Sequence, residues 1–222
     1  MSRLALITGG ARGLGAAMVA ELRAQGFRVV APARSELNLA SSESVGAYLS
    51  ANAAMEVDVL VCNAGVNVLG PLGEITNANW QTMLQVNLTS ALQLIQAYGP
   101  GMVRRGWGRV LAISSILGVV ARVDRAAYSM TKAALNALTR AAAVEFGPGG
   151  VLANSLAPGY VDTALTRQNN PPETLAAIAA SVPLRRMATA EELAKVAAFL
   201  VSENNSYLTG QTVVVDGGFT CQ

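Results

Sequence analysis

The sequence predicts an α/β domain, a doubly wound and mostly parallel sheet covered by helices. Two observations point there. Apolar, strand-like runs alternate with helical patterns along the 222 residues, the order that gives a parallel sheet with both faces covered. The first run, Leu4 to Ile7, leads at once into Thr8-Gly9-Gly10-Ala11-Arg12-Gly13-Leu14-Gly15 and then an apolar-striped helix. Glycines let such a turn take backbone angles closed to other residues and approach a ligand closely. The free N–H groups of the helix start then face an anion such as a pyrophosphate. The corner reads as nucleotide-binding, although its Gly-x3-Gly-x-Gly spacing is not the literal Gly-x-Gly-x-x-Gly fingerprint.

In chain order, strands are predicted near 3–8, 27–32, 57–62, 108–113, 151–155 and 212–215. Helices are predicted near 13–25, 42–54, 77–103, 126–146, 172–180 and 190–202. Gly99-Pro100-Gly101 is a point where the long third helix would bend or stop. Arg109 to Ser114 is a short apolar strand ending in Ser114-Ser115, after which Gly118 and Asp124-Arg125 suggest a loop. Tyr128 and Lys132 stand four apart at the start of the next helix, so they share a face. A phenol beside an ammonium has its phenolate favoured, which lowers the Tyr pKa toward a useful range for proton transfer. Asn169-Asn170-Pro171-Pro172 signals a loop before a short alanine-rich helix, within a substrate lid expected at about 158–183. The whole of 1–222 reads as one domain.

The stretch after the second strand is unusually short. Only Ala33-Arg34-Ser35-Glu36 separates Pro32 from Leu37, and a helix begins soon after Ala40. Parallel neighbours need a crossover of about a dozen residues. Glu36–Leu39 therefore cannot be an ordinary third parallel strand: either the edge strand is missing or the segment folds across the ligand site.

Sixteen basic and fourteen acidic residues leave a net charge of +2. Arg104-Arg105 and Arg185-Arg186 are isolated pairs, and no basic block argues for nucleic acid or an anionic membrane. With two cysteines and no histidine, neither a disulfide framework nor a metal site is expected. Met1-Ser2-Arg3 runs straight into the first strand, no apolar run is long enough to span a bilayer, and the expected compartment is the cytoplasm.

The motifs together resemble the classical short-chain dehydrogenase/reductase family from Leu4 to Phe219. Thr8-Gly9 with Gly13 and Gly15 matches its glycine motif, Asn63-Ala64-Gly65 its Asn-Ala-Gly motif, and Asn87 its helix asparagine. Ser115 matches the catalytic serine, Tyr128-Ser129-Met130-Thr131-Lys132 the Tyr-x-x-x-Lys motif, and Pro158-Gly159 with Thr163 the post-strand Pro-Gly motif. The Pro-Gly-Tyr-Val-Asp-Thr stretch and the Asp216-Gly217-Gly218 ending are most similar to bacterial 3-oxoacyl-carrier-protein reductases. The resemblance implies Rossmann topology, with the usual region between second and third strands truncated. It also implies a homotetramer, or at least a homodimer, built through the two long helices and through Thr209 to Phe219.

The resemblance further implies that Ser115 and Tyr128 hold a carbonyl oxygen, that Tyr128 donates its proton, and that Lys132 lowers the Tyr128 pKa and binds the nicotinamide ribose. Asn87 would kink its helix and hold a relay water. Asn63-Ala64-Gly65 would lie beside the adenosine ribose, the backbone near Val161 would orient the carboxamide, and Thr163 would touch the pyrophosphate or carboxamide. Asn38 takes the place of the family's adenine-contacting Asp, as in dehydrorhamnose-reductase-like members. An NAD-binding chain carries an acid at the end of the second strand. Here that place falls near Ala33, followed by Arg34, with Arg12 in the glycine corner. Two guanidiniums suit a 2′-phosphate, which favours NADP. Glu36, swung onto the ribose, would favour NAD. Val66, Val68, Leu117, Val119, Tyr160 and Leu165 are candidates for an apolar substrate pocket. The expected reaction is NADPH-dependent reduction of a small-molecule ketone or 3-oxoacyl carbonyl. The alternatives are an NAD-dependent secondary alcohol dehydrogenase and, from a different class, a catalytically silent nucleotide-sensing regulator.

Overall fold

The computed structural model describes residues 2–168 and 171–222, with the side chains of Leu165 and Gln168 outside the description. Asn169 and Asn170 of the expected loop, Met1 and the Leu165 pocket candidate thus lie outside the described residues. Six strands form one sheet: β1 (Leu4–Ile7), β2 (Arg28–Val30), β3 (Val59–Cys62), β4 (Gly108–Ile113), β5 (Val151–Pro158) and β6 (Thr212–Val215). Their order is β2-β1-β3-β4-β5-β6 and every pairing is parallel. The chain steps outward from β1 to β2, returns across β1 to β3, and then proceeds the other way. The crevice between the carboxyl ends of β1 and β3 is therefore the topological switch point, where open α/β sheets bind ligands.

Strand parity builds the two cores. Leu6, Leu60, Cys62, Val110, Ala112, Val151 and Ala153 point to one face. There they meet helices α2 (Ser42–Ala51), α4 (Ser90–Arg104) and α5 (Ala126–Phe146). Ala5, Ile7, Val59, Val61, Leu111, Ile113 and Leu156 point to the other, against α1 (Gly13–Ala24) and α8 (Ala190–Val201). Leu6, Leu60, Leu111 and Leu156 are essentially free of solvent contact, and burial of each such side chain stabilises by roughly 1.5–3 kcal/mol. Strands buried on both faces need continuous apolar runs rather than alternation.

The expected long helix is present as one unbroken helical run, with an irregularity inside it: α3 (Asn77–Leu84) passes into a π-helical turn, Gln85–Thr89, before α4 continues to Arg104. Gly99-Pro100-Gly101 does not end it, since α4 runs on through Pro100. Gly99 is small for a packing reason: a Cβ there would lie 2.4 Å from the Phe146 ring of α5. Two shorter corrections are that β5 extends to Pro158 and that a further short helix, α6 (Ala164–Gln168), precedes α7 (Pro172–Ser181). Among the described residues, no helix is long and apolar enough to cross a membrane.

Residues 31–41 contain neither strand nor helix, so β2 is the sheet edge. Glu36 N–H and Leu37 N–H both donate to the Ala33 carbonyl, at 3.0 and 2.9 Å, closing a turn. Leu37 and Leu39 are buried, which draws the rest of the segment over the crevice.

Candidate active site

A cleft of about 640 Å³ opens at the switch point. Its floor is the glycine corner, where Arg12 stands just before α1 in extended backbone. Gly13 has φ +54°, a conformation that disfavours a side chain, and its missing Cβ would point at Thr163. Gly15 is required by contact: a Cβ there would sit 2.1 Å from the Gly9 carbonyl oxygen. Thr8 and Asn63 fasten this corner to the end of β3. Thr8 Oγ1 accepts from Asn63 N–H and Ala64 N–H at 3.0 and 3.1 Å, and Asn63 Nδ2 donates to the carbonyls of Thr8 and Gly9 at 2.9 and 3.1 Å. The Asn63 amide nitrogen is thus engaged on backbone, and Asn63, Ala64 and Gly65 all line the cleft.

Arg12, Leu14, Arg34, Asn38, Val66 and Thr163 line the same cleft, and among the described lining residues there is no Asp or Glu. Glu36 does not reach it. Its carboxylate accepts from Ala33 N–H at 2.7 Å and borders a separate depression against Tyr48 and Met55. Asn38 is held by its own N–H on Ser44 Oγ at 3.0 Å, while its Oδ1 accepts from Ala40 N–H at 3.2 Å. Pro158 ends β5. Gly159 N–H donates to Val215 at 2.9 Å, and a Cβ on Gly159 would meet Asp216 at 2.6 Å. Val161 forms an isolated bridge to Ala188.

Behind the cleft wall formed by Gly65 and Val66, β3, β4, the π turn and α5 converge on Asn87, Ser115, Tyr128 and Lys132, which do not themselves line the cleft. The turn directs Asn87 inward, where it is buried: Oδ1 accepts from Val66 N–H at 2.8 Å, and Nδ2 donates to Val66 O at 2.9 Å and Thr131 Oγ1 at 3.0 Å. Lys132 is buried and its Nζ donates to the Ile113 carbonyl at 2.7 Å. Gly65 lies against both groups, its Cβ position being 3.4 Å from Asn87 Oδ1 and from Lys132 Nζ. Ser115 accepts from Leu117 N–H at 3.1 Å, and its hydroxyl is near enough to Tyr128 to favour the phenolate. Ser114 instead donates into the helix, to the Lys132 carbonyl at 3.3 Å.

The electrostatics differ from the expectation. Burial raises the Tyr128 hydroxyl above its ordinary 10.0, opposed by the Ser115 hydrogen bond and the Arg125 charge. Lys132, whose Nζ is 5.6 Å from the Tyr128 ring centre, is not what relieves it. Burial instead brings Lys132 itself down to about 8, because the ammonium loses water. Arg125 was legible only as part of a loop signal, and its proximity to Tyr128 follows from the i, i+3 spacing once the helix start is known. Of the pocket candidates, Val66 lines the cleft, Leu117 and Tyr160 are half-buried, and Val68 and Val119 are exposed.

The family described as enoyl-(acyl carrier protein) reductase matches residues 36–220. The 3-oxoacyl-acyl-carrier-protein reductase of Salmonella typhimurium is 33% identical over 236 residues, covering 97% of this chain and 96% of that protein. The TT0495 protein of Thermus thermophilus superimposes with a TM-score of 0.91 at 40% identity, over 100% of both chains. A gluconate 5-dehydrogenase of Burkholderia cenocepacia, solved with NADP and tartrate, gives a TM-score of 0.89 at 29% identity, over 100% of this chain and 97% of that one.

Proposed function

As the chain belongs to the short-chain dehydrogenase/reductase family, we propose that it reduces a ketone or 3-oxoacyl carbonyl to the secondary alcohol with NADPH. The observation that carries the cofactor choice is the cleft lined by Arg12 and Arg34 and, among its described residues, by no carboxylate. A 2′-phosphate fits two guanidiniums and would be repelled by an acid. Glu36, engaged on Ala33 N–H, supplies no such acid. NADP in the Burkholderia relative is in keeping with this choice.

The glycine corner fits a pyrophosphate: Gly13 and Gly15 clear the approach to the N–H groups that open α1. When bound, the nicotinamide supplies the hydride to the carbonyl carbon. The chain's own residues do the rest. Ser115 and Tyr128 donate hydrogen bonds to the carbonyl oxygen, so negative charge developing there is met by two hydroxyls. Tyr128 then passes its proton to that oxygen as general acid, and the alcohol leaves. Lys132, held by the Ile113 carbonyl and 5.6 Å from the Tyr128 ring centre, is placed to bind the nicotinamide ribose beside the acid. Asn87 joins the Val66 backbone to Thr131 on the catalytic helix and so fixes the distance between cleft and acid. Thr163, beside Gly13, closes the pyrophosphate end, and Pro158 to Pro183 act as the lid.

A panel of ketones and 3-oxoacyl thioesters, followed by loss of nicotinamide absorbance, tests the reading. Turnover with NADPH well above that with NADH is expected, and Tyr128→Phe should lower kcat by about 10²–10⁴-fold. Tyr128→Phe keeping most of its rate would remove the assigned acid. Binding of NADPH with no turnover of any carbonyl would favour the sensing regulator.

A further inference from the structure

Tyr128 and Lys132 stand on one helix, so α5 alone sets their separation. Ser115 does not share it. It is the N-cap of a three-residue 3₁₀ turn, Ile116–Gly118, and has extended backbone with φ −165° and ψ 156°. The turn is closed by Gly118 N–H on the Ser115 carbonyl at 2.9 Å and by Val119 N–H on the Ile116 carbonyl at 2.8 Å. A turn this short has little rigidity of its own, and the Leu117 N–H that Ser115 Oγ accepts belongs to the same turn. What locates it lies on either side of Ser115. Buried Ser114 donates its N–H to the Leu156 carbonyl of β5 at 2.7 Å, and its hydroxyl to the Lys132 carbonyl at 3.3 Å. Beyond the turn, Gly118 is seated on the same stretch of α5. A Cβ there would lie 3.0 Å from the Lys132 carbonyl carbon, 3.1 Å from its oxygen and 3.0 Å from Asn136 Nδ2. Asn136 Nδ2 donates to the Gly118 carbonyl at 3.4 Å. Asn136 is buried, and its Oδ1 has no partner among the described residues. An unpaired buried acceptor is costly, a cost that an apolar side chain at 136 would not incur.

We propose that Ser114, Gly118 and Asn136 are positioning residues that clip the Ser115 turn onto the Lys132–Asn136 turn of α5 and so set where Ser115 stands against Tyr128. For its catalytic consequence the proposal rests on the carbonyl-reduction reading. Both anchors engage one helical turn, the turn that follows directly on Tyr128. Lys132 is gripped at both ends, with its carbonyl under Ser114 and its Nζ on the Ile113 carbonyl at 2.7 Å. Sliding β4 against α5 would therefore break contacts on both sides of Ser115. Two hydroxyls acting on one carbonyl oxygen need such register, since a misplacement of 1 Å can cost about 10²-fold in rate. Ser114, Gly118 and Asn136 do not line the cofactor cleft, so the clip acts on the reacting groups and leaves the cofactor's contacts alone.

The test begins with Gly118→Ala. Gly118 is not among the glycines with positive φ, so the added methyl strains no backbone and acts as a wedge of a few tenths of an ångström against Lys132 and Asn136. On a ketone that the wild type reduces with NADPH, kcat should fall by about 3- to 10-fold. NADPH affinity, read by calorimetry, should stay within about twofold. Ser114→Ala leaves the Lys132 carbonyl in its helical bond and is the milder second variant if the wedge impairs folding; its kcat should fall in the same direction. Each substitution is then repeated in Ser115→Ala. A residue that acts through Ser115 has little further effect there, so the losses should not add. The same loss in both backgrounds would overturn the proposal, because a general structural defect slows either one alike. Hydrogen exchange, read by mass spectrometry on the chain without cofactor, needs no turnover. In Ser114→Ala and Asn136→Ala the amides of 115–120 should exchange faster than in the wild type, with those of the glycine corner unchanged. Unchanged exchange at 115–120 would overturn the clip. Faster exchange in a protein that reduces no carbonyl would keep the clip and reject the reduction. Carbonyl reduction by the wild type, with exchange unchanged in the variants, would do the reverse.

Discussion

At the scale of single residues, the site holds a charge where burial disfavours it. Lys132 is buried and brought down to about 8 from its ordinary 10.5. Below pH 8 both folded and unfolded chains carry the proton, and the folded state bears the full desolvation cost. Between pH 8 and 10.5 the unfolded chain binds a proton that the folded chain has shed, so this group's contribution to stability rises with pH. The difference across that window is on the order of 3 kcal/mol. Lys132→Met removes the titration. The melting temperature of the variant minus that of the wild type should therefore fall from pH 7 to pH 10 by several degrees, at roughly 2–4 °C per kcal/mol for a chain this size. A flat difference across that range would mean that the ammonium keeps its water. Such a cost is in keeping with the catalytic role proposed for Lys132, since stability is commonly traded for function.

At the scale of elements, the junction of α3, the π turn and α4 ties fold to chemistry. π turns inside helices recur at functional sites because one extra residue per turn redirects a side chain. Here the redirected residue is Asn87, with three hydrogen bonds to Val66 and Thr131. Asn87→Ala should destabilise by about 1–3 kcal/mol, the cost of leaving buried partners unpaired, and slow turnover by loosening α5. Asn87→Asp should be nearly as harmful, since a carboxylate can accept from Val66 N–H but cannot donate to Val66 O. Urea melts and steady-state rates on the two variants check this, and an Asp variant with wild-type stability would contradict it. The resemblance placed a kink at Asn87, but local pattern gave no sign of the π turn, whose Asn87 side chain is held by Val66, 21 residues away. Gly99-Pro100-Gly101 misled for a similar reason, since Phe146, the residue that needs Gly99, belongs to α5. By contrast β1, β3 and β4 were legible because strands covered on both faces must be apolar throughout, and the glycine corner because its spacing is local. The place of Arg125 beside Tyr128 was half legible, since only the folded chain shows which charges reach the phenol.

At the scale of the whole molecule, the chain carries more apolar surface than its sheet and helices consume. Hydrophobic residues make up 52% of the sequence and charged ones 14%. On the paired helices, Leu92 of α4 is 38% exposed, and Met130 and Val144 of α5 are 48% and 77% exposed. In the family that this chain belongs to, those two helices would pack against a second copy. A covered Val144 would shed its water as part of a stable interface, which typically removes about 1,600 Å² in total. We therefore expect a homotetramer, or at least a homodimer, with α4 and α5 at its centre. Val144→Glu is the informative change. Within one subunit the side chain is already in water, so the substitution should leave the folded chain intact, with near-zero change in its circular dichroism. In an assembly the same carboxylate would be buried beside its symmetry mate without a partner, at a cost large enough to separate the subunits. Light scattering should then report a multiple of the 22.9 kDa chain for the wild type and a smaller species for the variant. A wild-type monomer at working concentration would sink the assembly, and an unchanged oligomer in Val144→Glu would move the interface away from α5.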